Sequence, residues 1–378
     1  MTNKRSLFTA AAILIGTVVG AGFLGIPGIV AKSGFFVGLF YLIFIFLIIL
    51  FINLLLGEIS LRTKGNHQLT GYAKKYLGSR GKKLMCASQV FGIYSALLAY
   101  LIGISASINF IFNYGNLNFS LLIGIVVWII FSFIVSFKIS SIRKLLGYGS
   151  LVVIFLILVI TFIKFPQIDY ENFKWFDAKN IFLPFGVILF SFLGFSAMPE
   201  IEEYLHGKEK LLKKSLIIGT CVPFIIYLIF MFLIVGVYGN SIPELATLAM
   251  GVIVIILGIL TMSNAYLALS TALRDMYTLD FFISKRKAWI FVVSVPLVLF
   301  IILNLLNFIS FIKIISIGGV VSGGLTGILI LFMAKKAKKN GNRKPEYSIP
   351  IGWFIIGLIS LIFIFGVVYE VLNIIGIV

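Results

Sequence analysis

The chain has 378 residues, of which 61% are hydrophobic and 12% are charged, and its formal net charge is +18. Soluble domains are about half apolar and about a quarter charged, so this composition excludes a soluble fold. Such a basic chain would also suit nucleic-acid binding. The basic residues instead follow the topology of a membrane protein, and we predict no nucleic-acid partner.

Apolar runs of about twenty uncharged residues recur along the chain, and each is long enough to cross a hydrocarbon core about 30 Å thick. Helices are the expected spanning elements, since an open strand edge in lipid would leave backbone polar groups unpaired. We predict an all-α polytopic membrane protein with about 11 transmembrane helices. The predicted spans are 8-31, 35-57, 84-112, 119-137, 145-164, 181-204, 214-238, 244-273, 288-306, 308-334 and 352-376.

Lys and Arg are distributed unequally between the two sides of the predicted membrane. This asymmetry follows the positive-inside rule and places the N-terminus in the cytoplasm and the C-terminus outside. We expect an integral protein of a prokaryotic plasma membrane. The cytoplasmic stretches 4-5, 62-83, 138-144, 208-214, 274-287 and 335-344 hold every Lys and Arg except Lys32, Lys164, Lys174, Lys179 and Lys313.

The segments between spans are short, the longest being 62-83 and 165-180, so we predict a single transmembrane domain over 1-378. The first span has no small-residue cleavage site, and we predict that it is retained. Cys86 and Cys221 lie in or beside spans and indicate neither a disulfide framework nor a metal site. The sequence indicates no cofactor and no obligate protein partner.

A hexapeptide of the form Gly-Phe-x-x-apolar-Pro occurs twice, at 22-27 in the first span and at 194-199 in the sixth. The copies lie five helices apart, so their helices run in opposite directions. Interrupted segments at corresponding positions of two halves are typical of an inverted-repeat transporter with its site at the breaks. The alternative is a chance match in a chain rich in Gly and Phe.

Both hexapeptides are easy to unwind, because Gly disfavours a helix by about 1 kcal/mol relative to Ala and Pro by about 3 kcal/mol. Unwinding frees N–H and C=O groups, which is tolerable in a membrane where they face a cavity or a ligand. An amino acid supplies both partners. Its carboxylate accepts from the N–H groups at a half-helix N-terminus, and its ammonium donates to the freed carbonyls.

The glycines of the first span also match two patterns that involve no break. Gly20, Gly22 and Gly25 match the dinucleotide fingerprint, but they lie in an apolar span without a strand–helix–strand unit or an acid about twenty residues onward. Gly16 and Gly20 form a small-xxx-small pair that is typical of helix packing. Packing accounts well for the glycines alone, whereas Pro27 and the second hexapeptide favour the break.

The end of the eighth span is unusually polar, with Ser263, Asn264, Ser270 and Thr271. One interpretation is that the hydroxyls bond back to carbonyls of their own helix. A second is that Ser270 and Thr271 join carbonyls of the first break in an oxygen cage of the kind a hard cation prefers. The sequence leaves both open.

Acids near the spans are few and lie towards the predicted cytoplasmic ends. We take Glu200 as the candidate proton carrier, because a charge well inside a bilayer costs at least about 2.5 kcal/mol and needs a partner or a wet path. We expect Glu202 and Glu203 at a solvated helix end that faces Lys208 and Lys210. The acids near the spans are Glu58, Glu200, Glu202, Glu203 and Asp275.

The stretch 14-23 resembles the first-helix signature of the amino acid, polyamine and organocation superfamily. The stretches 54-62, 76-78, 191-204, 217-220 and 266-270, with Asp275, resemble its hydroxy and aromatic amino acid permease branch; a neighbouring branch shares the first- and sixth-helix patterns. The resemblance runs from residue 8 to residue 335. It implies a leucine-transporter-like fold, with discontinuous helices 1 and 6. Two inverted five-helix repeats, 8-164 and 181-334, would precede a peripheral helix, 352-376.

The resemblance also implies site residues by position. Backbone groups of the first break would hold the substrate, namely Val19, Gly20, Ala21, Gly22 and Phe23. The sixth-helix break would be lined by Phe190, which would act as an aromatic gate, and by Ser191, Leu193 and Gly194. The sodium site of sodium-coupled relatives would correspond to Gly16, Val19, Ser270 and Thr271. Because the branch usually couples to protons, H⁺ and Na⁺ both stay open as the coupling ion.

We therefore predict a cation-coupled symporter of neutral or aromatic amino acids that works by alternating access. The alternative is an exchanger or an amino-acid sensor of the same fold without cation coupling, although short loops without an appended domain argue against the sensor. An intramembrane enzyme would need convergent catalytic groups, which the spans lack, so we predict no enzyme. A channel would need a continuous polar path or charged rings.

Overall fold

The computed structural model describes residues 3–20, 22–65, 67–112, 117–137, 155, 159, 161–174, 176–306 and 310–375. Regular structure within these ranges is helical throughout. The α-helices are α1 (Asn3–Val18), α2 (Gly22–Ser33), α3 (Phe35–Leu61), α4 (Leu69–Phe112), α5 (Leu117–Ser136), α6 (Pro184–Ser191), α7 (Met198–Tyr204), α8 (Leu212–Tyr238), α9 (Val252–Asp275), α10 (Lys285–Leu305), α11 (Phe311–Ile317), α12 (Gly324–Asn340) and α13 (Trp353–Ile375).

Nine helical stretches of the described residues are long and apolar enough to cross a membrane, and the bent pair α1–α2 makes a tenth candidate. Each of them overlaps a predicted span, so the chain is an integral membrane protein. The predicted span 145-164 falls mainly outside the described residues. The nine stretches are Phe35–Leu61, Leu69–Phe112, Phe119–Ser136, Pro184–Tyr204, Glu209–Ser241, Val252–Asp280, Lys285–Leu305, Phe311–Asn340 and Trp353–Asn373.

The stretch 62-83 between the second and third predicted spans is helical over most of its length, because α4 begins at Leu69. Tyr72, Ala73 and Tyr76 are buried on one face of this first part of α4. Their spacing follows the helical period, but intervening charged residues obscure it in the sequence. Gly78 interrupts α4 with φ 75° and ψ −165°, a conformation that favours glycine, and so separates this amphipathic part from the spanning part.

The boundaries of the eighth and tenth spans also differ from the prediction. The eighth was expected from residue 244, but α9 begins at Val252, after a 3-10 turn at Ala246–Ala249. α11 begins at Phe311, and the Ser310 side chain caps it by accepting a hydrogen bond from Lys313 N at 3.3 Å. A π-helical turn, Gly318–Gly323, then joins α11 to α12.

Two groups of packed helices surround the centre of the molecule, and they are joined where α3 packs on α12 and α6 packs on α11. α1, α2 and α3 pack on α8, and α2 and α3 also pack on α6. α4 packs instead on α5, α9, α10 and α12. The α1–α2 break lies where the two groups meet, since α1 also contacts α9. Buried aromatic rings fill this centre, including Phe23, Phe192, Tyr227 and Phe230.

Candidate functional site

The first hexapeptide begins where α1 gives way to α2. α1 ends at Val18, α2 begins at Gly22, and the two helices are bent by 56° relative to each other. Val19 N still donates to Ile15 O at 2.8 Å, whereas Gly20 N turns to Val18 O at 2.9 Å. The helical hydrogen-bond pattern therefore stops within the glycine-rich stretch.

The second hexapeptide lies at another interruption. α6 ends at Ser191, a 3-10 turn follows at Phe195–Ala197, and α7 then begins. Gly194 has φ −143° and ψ 14°, outside the helical region. Pro199 lies in the first turn of α7, where its missing N–H leaves no helical hydrogen bond unmade. The second hexapeptide thus includes a break, whereas the first directly follows one. The prediction that residues 22-27 themselves unwind is wrong, because these residues are helical and Pro27 lies inside α2.

The two breaks lie directly against each other. A Cβ atom on Gly22 would lie 2.6 Å from Ser191 Oγ and 2.7 Å from Ser191 Cα. A Cβ atom on Gly194 would lie 2.8 Å from Leu14 Cδ1. These distances are well inside van der Waals contact, so glycine at both positions allows the two broken helices to approach closely.

Tyr227 of α8 links the two breaks through its hydroxyl. The hydroxyl lies 2.9 Å from Val18 O and 2.8 Å from Ser191 O. These carbonyls stand at the C-terminal ends of α1 and α6, where the regular helical donors are missing. The single hydroxyl proton is shared between the two acceptors. Sequence reasoning missed Tyr227, since one Tyr in an apolar span carries no distinctive signal.

A cavity of about 50 Å³ opens beside the two breaks. Of the residues predicted at the site, Gly22, Phe190 and Leu193 line it. Its polar lining comes from five residues that were not predicted from the sequence: Thr17, Gln89, Tyr100, Ser196 and Ser322. The cavity is therefore bounded by both breaks, α4 and the π-helical turn before α12.

The other predicted binding residues lie in or beside the breaks. Val19, Phe23 and Ser191 are buried, and Gly20 is so close to α4 that a Cβ atom there would lie 2.7 Å from Tyr100 Oη. The Phe23 ring stacks on Tyr227 with 5.4 Å between ring centres. Ala21 lies outside the described residues. The substrate-binding roles of all these residues stay predictions.

The α4 residues that line the cavity form a pattern that is present in the sequence. Gln89, Gly92, Ile93, Ala96 and Tyr100 all line the cavity, and their spacing places them on one face of the helix. A glutamine and a glycine on one stripe of an otherwise apolar span mark a face that differs from a lipid-facing one. The pattern is visible once α4 is known to border the breaks.

The hydroxyls at the polar end of α9 have different surroundings. Thr271 Oγ1 donates within its own helix, to Ala268 O at 2.7 Å and Leu267 O at 3.1 Å. Ser263 Oγ does the same to Ile259 O at 2.6 Å. Ser270 Oγ is buried and has no hydrogen-bond partner among the described residues. The predicted sodium site, which also includes Gly16 and Val19, stays a prediction.

The acids at the end of the sixth span differ from one another in exposure and in hydrogen bonding. Glu200 lies half-buried in the first turn of α7, and Glu203 is exposed. The expectation for Glu202 is wrong, because its carboxylate accepts a hydrogen bond from the Tyr72 hydroxyl. Tyr72 belongs to the amphipathic start of α4, which was predicted to be a loop.

Two further acids are buried within the spans. Glu370 of α13, which was not predicted at any site, is 6% exposed. Glu58 at the end of α3 is 2% exposed and accepts four hydrogen bonds. Its donors are Arg62 Nε (2.8 Å), Lys338 Nζ (3.0 Å), Ser348 Oγ (2.8 Å) and Ile349 N (2.7 Å).

Similarity to one family of known proteins extends over nearly the whole chain. The profile of the tryptophan/tyrosine permease family matches residues 3–372. Glutamine transporter 2 of Aliivibrio fischeri is 28% identical over 238 residues, which are 61% of this chain and 61% of the relative. Tyrosine-specific transport system 1 of Haemophilus influenzae is 23% identical over 221 residues, which are 57% of this chain and 54% of the relative.

A third relative is the low affinity tryptophan permease of Escherichia coli, which is 26% identical over 255 residues, 62% of this chain and 59% of the relative. The chain thus spans less than two thirds of the length of each of these relatives. All three are transporters or permeases, and none is an enzyme.

Proposed function

Because this chain belongs to the tryptophan/tyrosine permease family, we propose that it is a secondary active transporter that imports a neutral or aromatic amino acid. The observation that carries this proposal is the meeting of two broken helices at one cavity. Half-helices at a buried site are what carriers use to bind a small charged substrate without charged side chains.

The substrate's carboxylate would bind at the start of α2. Gly22 is the first residue of this 12-residue helix and lines the cavity. The first N–H groups of a helix lack helical acceptors and lie at the positive end of its dipole, which favours an anion. We propose that backbone groups of Val19, Gly20, Ala21, Gly22 and Phe23 hold the substrate's carboxylate and ammonium.

The second break would supply the opposite side of the substrate site. Phe190 and Leu193 line the cavity, and Ser191 and Gly194 lie next to the first break. We propose that the Phe190 ring acts as the aromatic gate. It is a bulky side chain at the end of a half-helix, so a small rotation of α6 would open or close the cavity.

Transport would follow alternating access in a leucine-transporter-like fold of two inverted repeats, 8-164 and 181-334, with 352-376 as an extra helix. The packing of α1, α2 and α3 on α8, and of α2 and α3 on α6, supports this proposal. α1, α2, α3, α6 and α8 would rock as one body against the group around α4 and α9. In the proposed orientation the N-terminus is cytoplasmic and the C-terminus is outside.

A proton or sodium gradient would drive the import. Glu200 is our candidate proton carrier, since it is half-buried at the start of the second half-helix. Glu370 is a second candidate, because an acid this deeply buried in a span is costly unless it has a function or a partner. Coupling to sodium would instead use Gly16, Val19, Ser270 and Thr271.

The deciding experiment is uptake of a panel of labelled amino acids into proteoliposomes under a proton gradient, a sodium gradient or neither. Saturable accumulation of one amino-acid class under one gradient is the expected result. Uptake that occurs only against preloaded amino acid would identify an exchanger. No binding and no uptake of any amino acid by folded protein would contradict the proposal and favour another substrate class.

A further inference from the structure

One wall of the cavity carries two polar side chains that the proposed transport does not yet use. Gln89 of α4 and Ser322 of the π-helical turn both line the cavity, and they are 8% and 5% exposed. Buried polar groups in proteins nearly always have hydrogen-bond partners, because leaving one unpaired is unfavourable. The hydrogen-bonding capacity that these two groups direct at the cavity therefore points to a ligand.

The Gln89 carboxamide is held in place from one side. Its Nε2 donates to Thr326 Oγ1 at 3.0 Å, and Thr326 Oγ1 also shares a hydrogen bond with Ser88 Oγ at 2.8 Å. Among the described residues this is the hydrogen bond that the Gln89 side chain makes. Its carbonyl oxygen and its second N–H make no hydrogen bond among the described residues, and Gln89 lines the cavity.

Ser322 is brought to the cavity by its neighbours. Ser88 Oγ donates to Ser322 O at 2.8 Å and so ties the turn to α4. A Cβ atom on Gly92 would overlap the Ser322 hydroxyl, so Gly92 provides the space that this hydroxyl occupies. Ser322 also lies in a π-helical turn, a structure that occurs frequently at functional sites.

The rest of this region of the cavity is largely apolar. Ile93, Phe190, Leu193 and Leu269 line it together with the two polar groups. A ligand that filled the cavity would therefore meet these apolar side chains and the hydrogen-bonding groups of Gln89 and Ser322. The remaining polar lining comes from Thr17, Tyr100 and Ser196. A mostly apolar lining with a few polar groups is typical of a small-molecule site.

We propose that Gln89 and Ser322 form a subsite for the end of the substrate's side chain, which selects neutral amino acids whose side chain carries a hydrogen-bonding group. The phenol of tyrosine, the indole of tryptophan and the carboxamide of glutamine belong to this class, whereas the side chains of phenylalanine and methionine do not. This inference rests on the proposed transport of amino acids.

The selectivity follows from desolvation. A substrate with a hydroxyl or amide replaces the hydrogen bonds that Gln89 and Ser322 would make to water without substrate. An apolar analogue of similar shape displaces that water and leaves the two groups unpaired. Sites built to hydrogen-bond a substrate group reject the analogue that lacks it much more strongly than apolar pockets reject an extra group.

The test compares matched substrate pairs. Labelled tyrosine with phenylalanine, and glutamine with methionine, are competed for uptake by wild type, Gln89→Met and the control Ser95→Ala. Ser95 lies on α4 outside the cavity lining, and its hydroxyl bonds within its own helix, to Phe91 O at 2.8 Å. We expect wild type and the control to prefer the hydrogen-bonding member of at least one pair by about tenfold or more.

In Gln89→Met this preference should shrink to within about threefold, while uptake of the apolar member persists. Retention of the full preference by the variant, or a wild-type preference for phenylalanine and methionine, would overturn the subsite but leave amino-acid transport intact. Absence of binding and uptake of every amino acid by wild type would overturn both proposals. If Gln89→Met does not fold, Ser322→Ala decides by the same criterion.

Discussion

The hydroxyl of Tyr227 lies 2.8 Å from the carbonyl oxygen of Ser191, and this hydrogen bond ties α8 to the end of the half-helix α6. The same hydroxyl contacts the carbonyl at the end of α1. One polar atom from a third helix therefore holds the C-terminal ends of both broken helices. This shared contact couples α8 to both breaks.

Replacing Tyr227 by phenylalanine should destabilise the protein, because it removes the donor to Ser191 O, whereas Val18 O keeps the hydrogen bond from Gly20 N at 2.9 Å. We expect a loss of about 1–3 kcal/mol, the usual effect of an unpaired buried acceptor. Thermal unfolding in detergent measures this loss. Tyr170→Phe is the matched control, since Tyr170 is 73% exposed. Equal unfolding midpoints for the two variants would contradict the bridging role.

Gly22→Ala should impair transport, because its Cβ atom would lie 2.7 Å from the backbone at Ser191 Cα. Backbone cannot yield as a flexible side chain can, so we expect strain of about 1–3 kcal/mol and uptake lowered roughly tenfold. Initial uptake rates in proteoliposomes measure the effect. Gly357→Ala is the control, since its Cβ atom would meet nothing within 4 Å. If Gly22→Ala takes up substrate as fast as the control, transport does not require the close approach of the two breaks.

Glu58→Gln should loosen the segment 342–351, because Lys338, Ser348 and Ile349 all donate to the Glu58 carboxylate. Hydrogen bonds to a charged group are worth about 1.5–3 kcal/mol each, and the neutral amide weakens them. In the same segment, the Tyr347 hydroxyl donates to Leu54 O. Burial, with Glu58 nearby, raises the pKa of this hydroxyl above its usual range, so it stays protonated.

Hydrogen exchange measured by mass spectrometry reports on this segment directly. The Ile349 N–H, which lies 2.7 Å from Glu58 Oε2, should exchange faster in the variant. Glu203→Gln is the control, since Glu203 is exposed on α7. Unchanged protection of the segment in Glu58→Gln would mean that contacts other than this carboxylate hold it.

Glu200→Gln should uncouple transport from the proton gradient, because the amide cannot release a proton. We expect gradient-driven accumulation to fall to the level without a gradient, while exchange of internal for external substrate continues. Glu370→Gln is measured beside it and should keep accumulation. The reverse pattern would transfer the proton-carrying role to Glu370, and loss of neither would favour the sodium site.

The sequence alone determined the class of the protein and the positions of most helices. Apolar runs longer than a membrane is thick have few other stable environments, so the spans that the structure describes match those predicted from composition. The paired hexapeptides located both breaks to within a few residues, because Gly and Pro disfavour a helix, although the stretch 22-27 itself is helical. The amphipathic start of α4 was missed because lysines interrupt its short buried stripe.

The tertiary structure decided which residues surround the breaks. Tyr227 and Ser322 each look ordinary within an apolar helix, and packing against helices far away in the chain places them at the site. Gln89 lies on a distinctive stripe of α4, but only packing brings that stripe to the breaks. The same is true of Glu202, whose partner Tyr72 lies 130 residues earlier. Local preference sets where a helix stops, but long-range packing sets which polar groups then meet, and no periodicity within one segment encodes that.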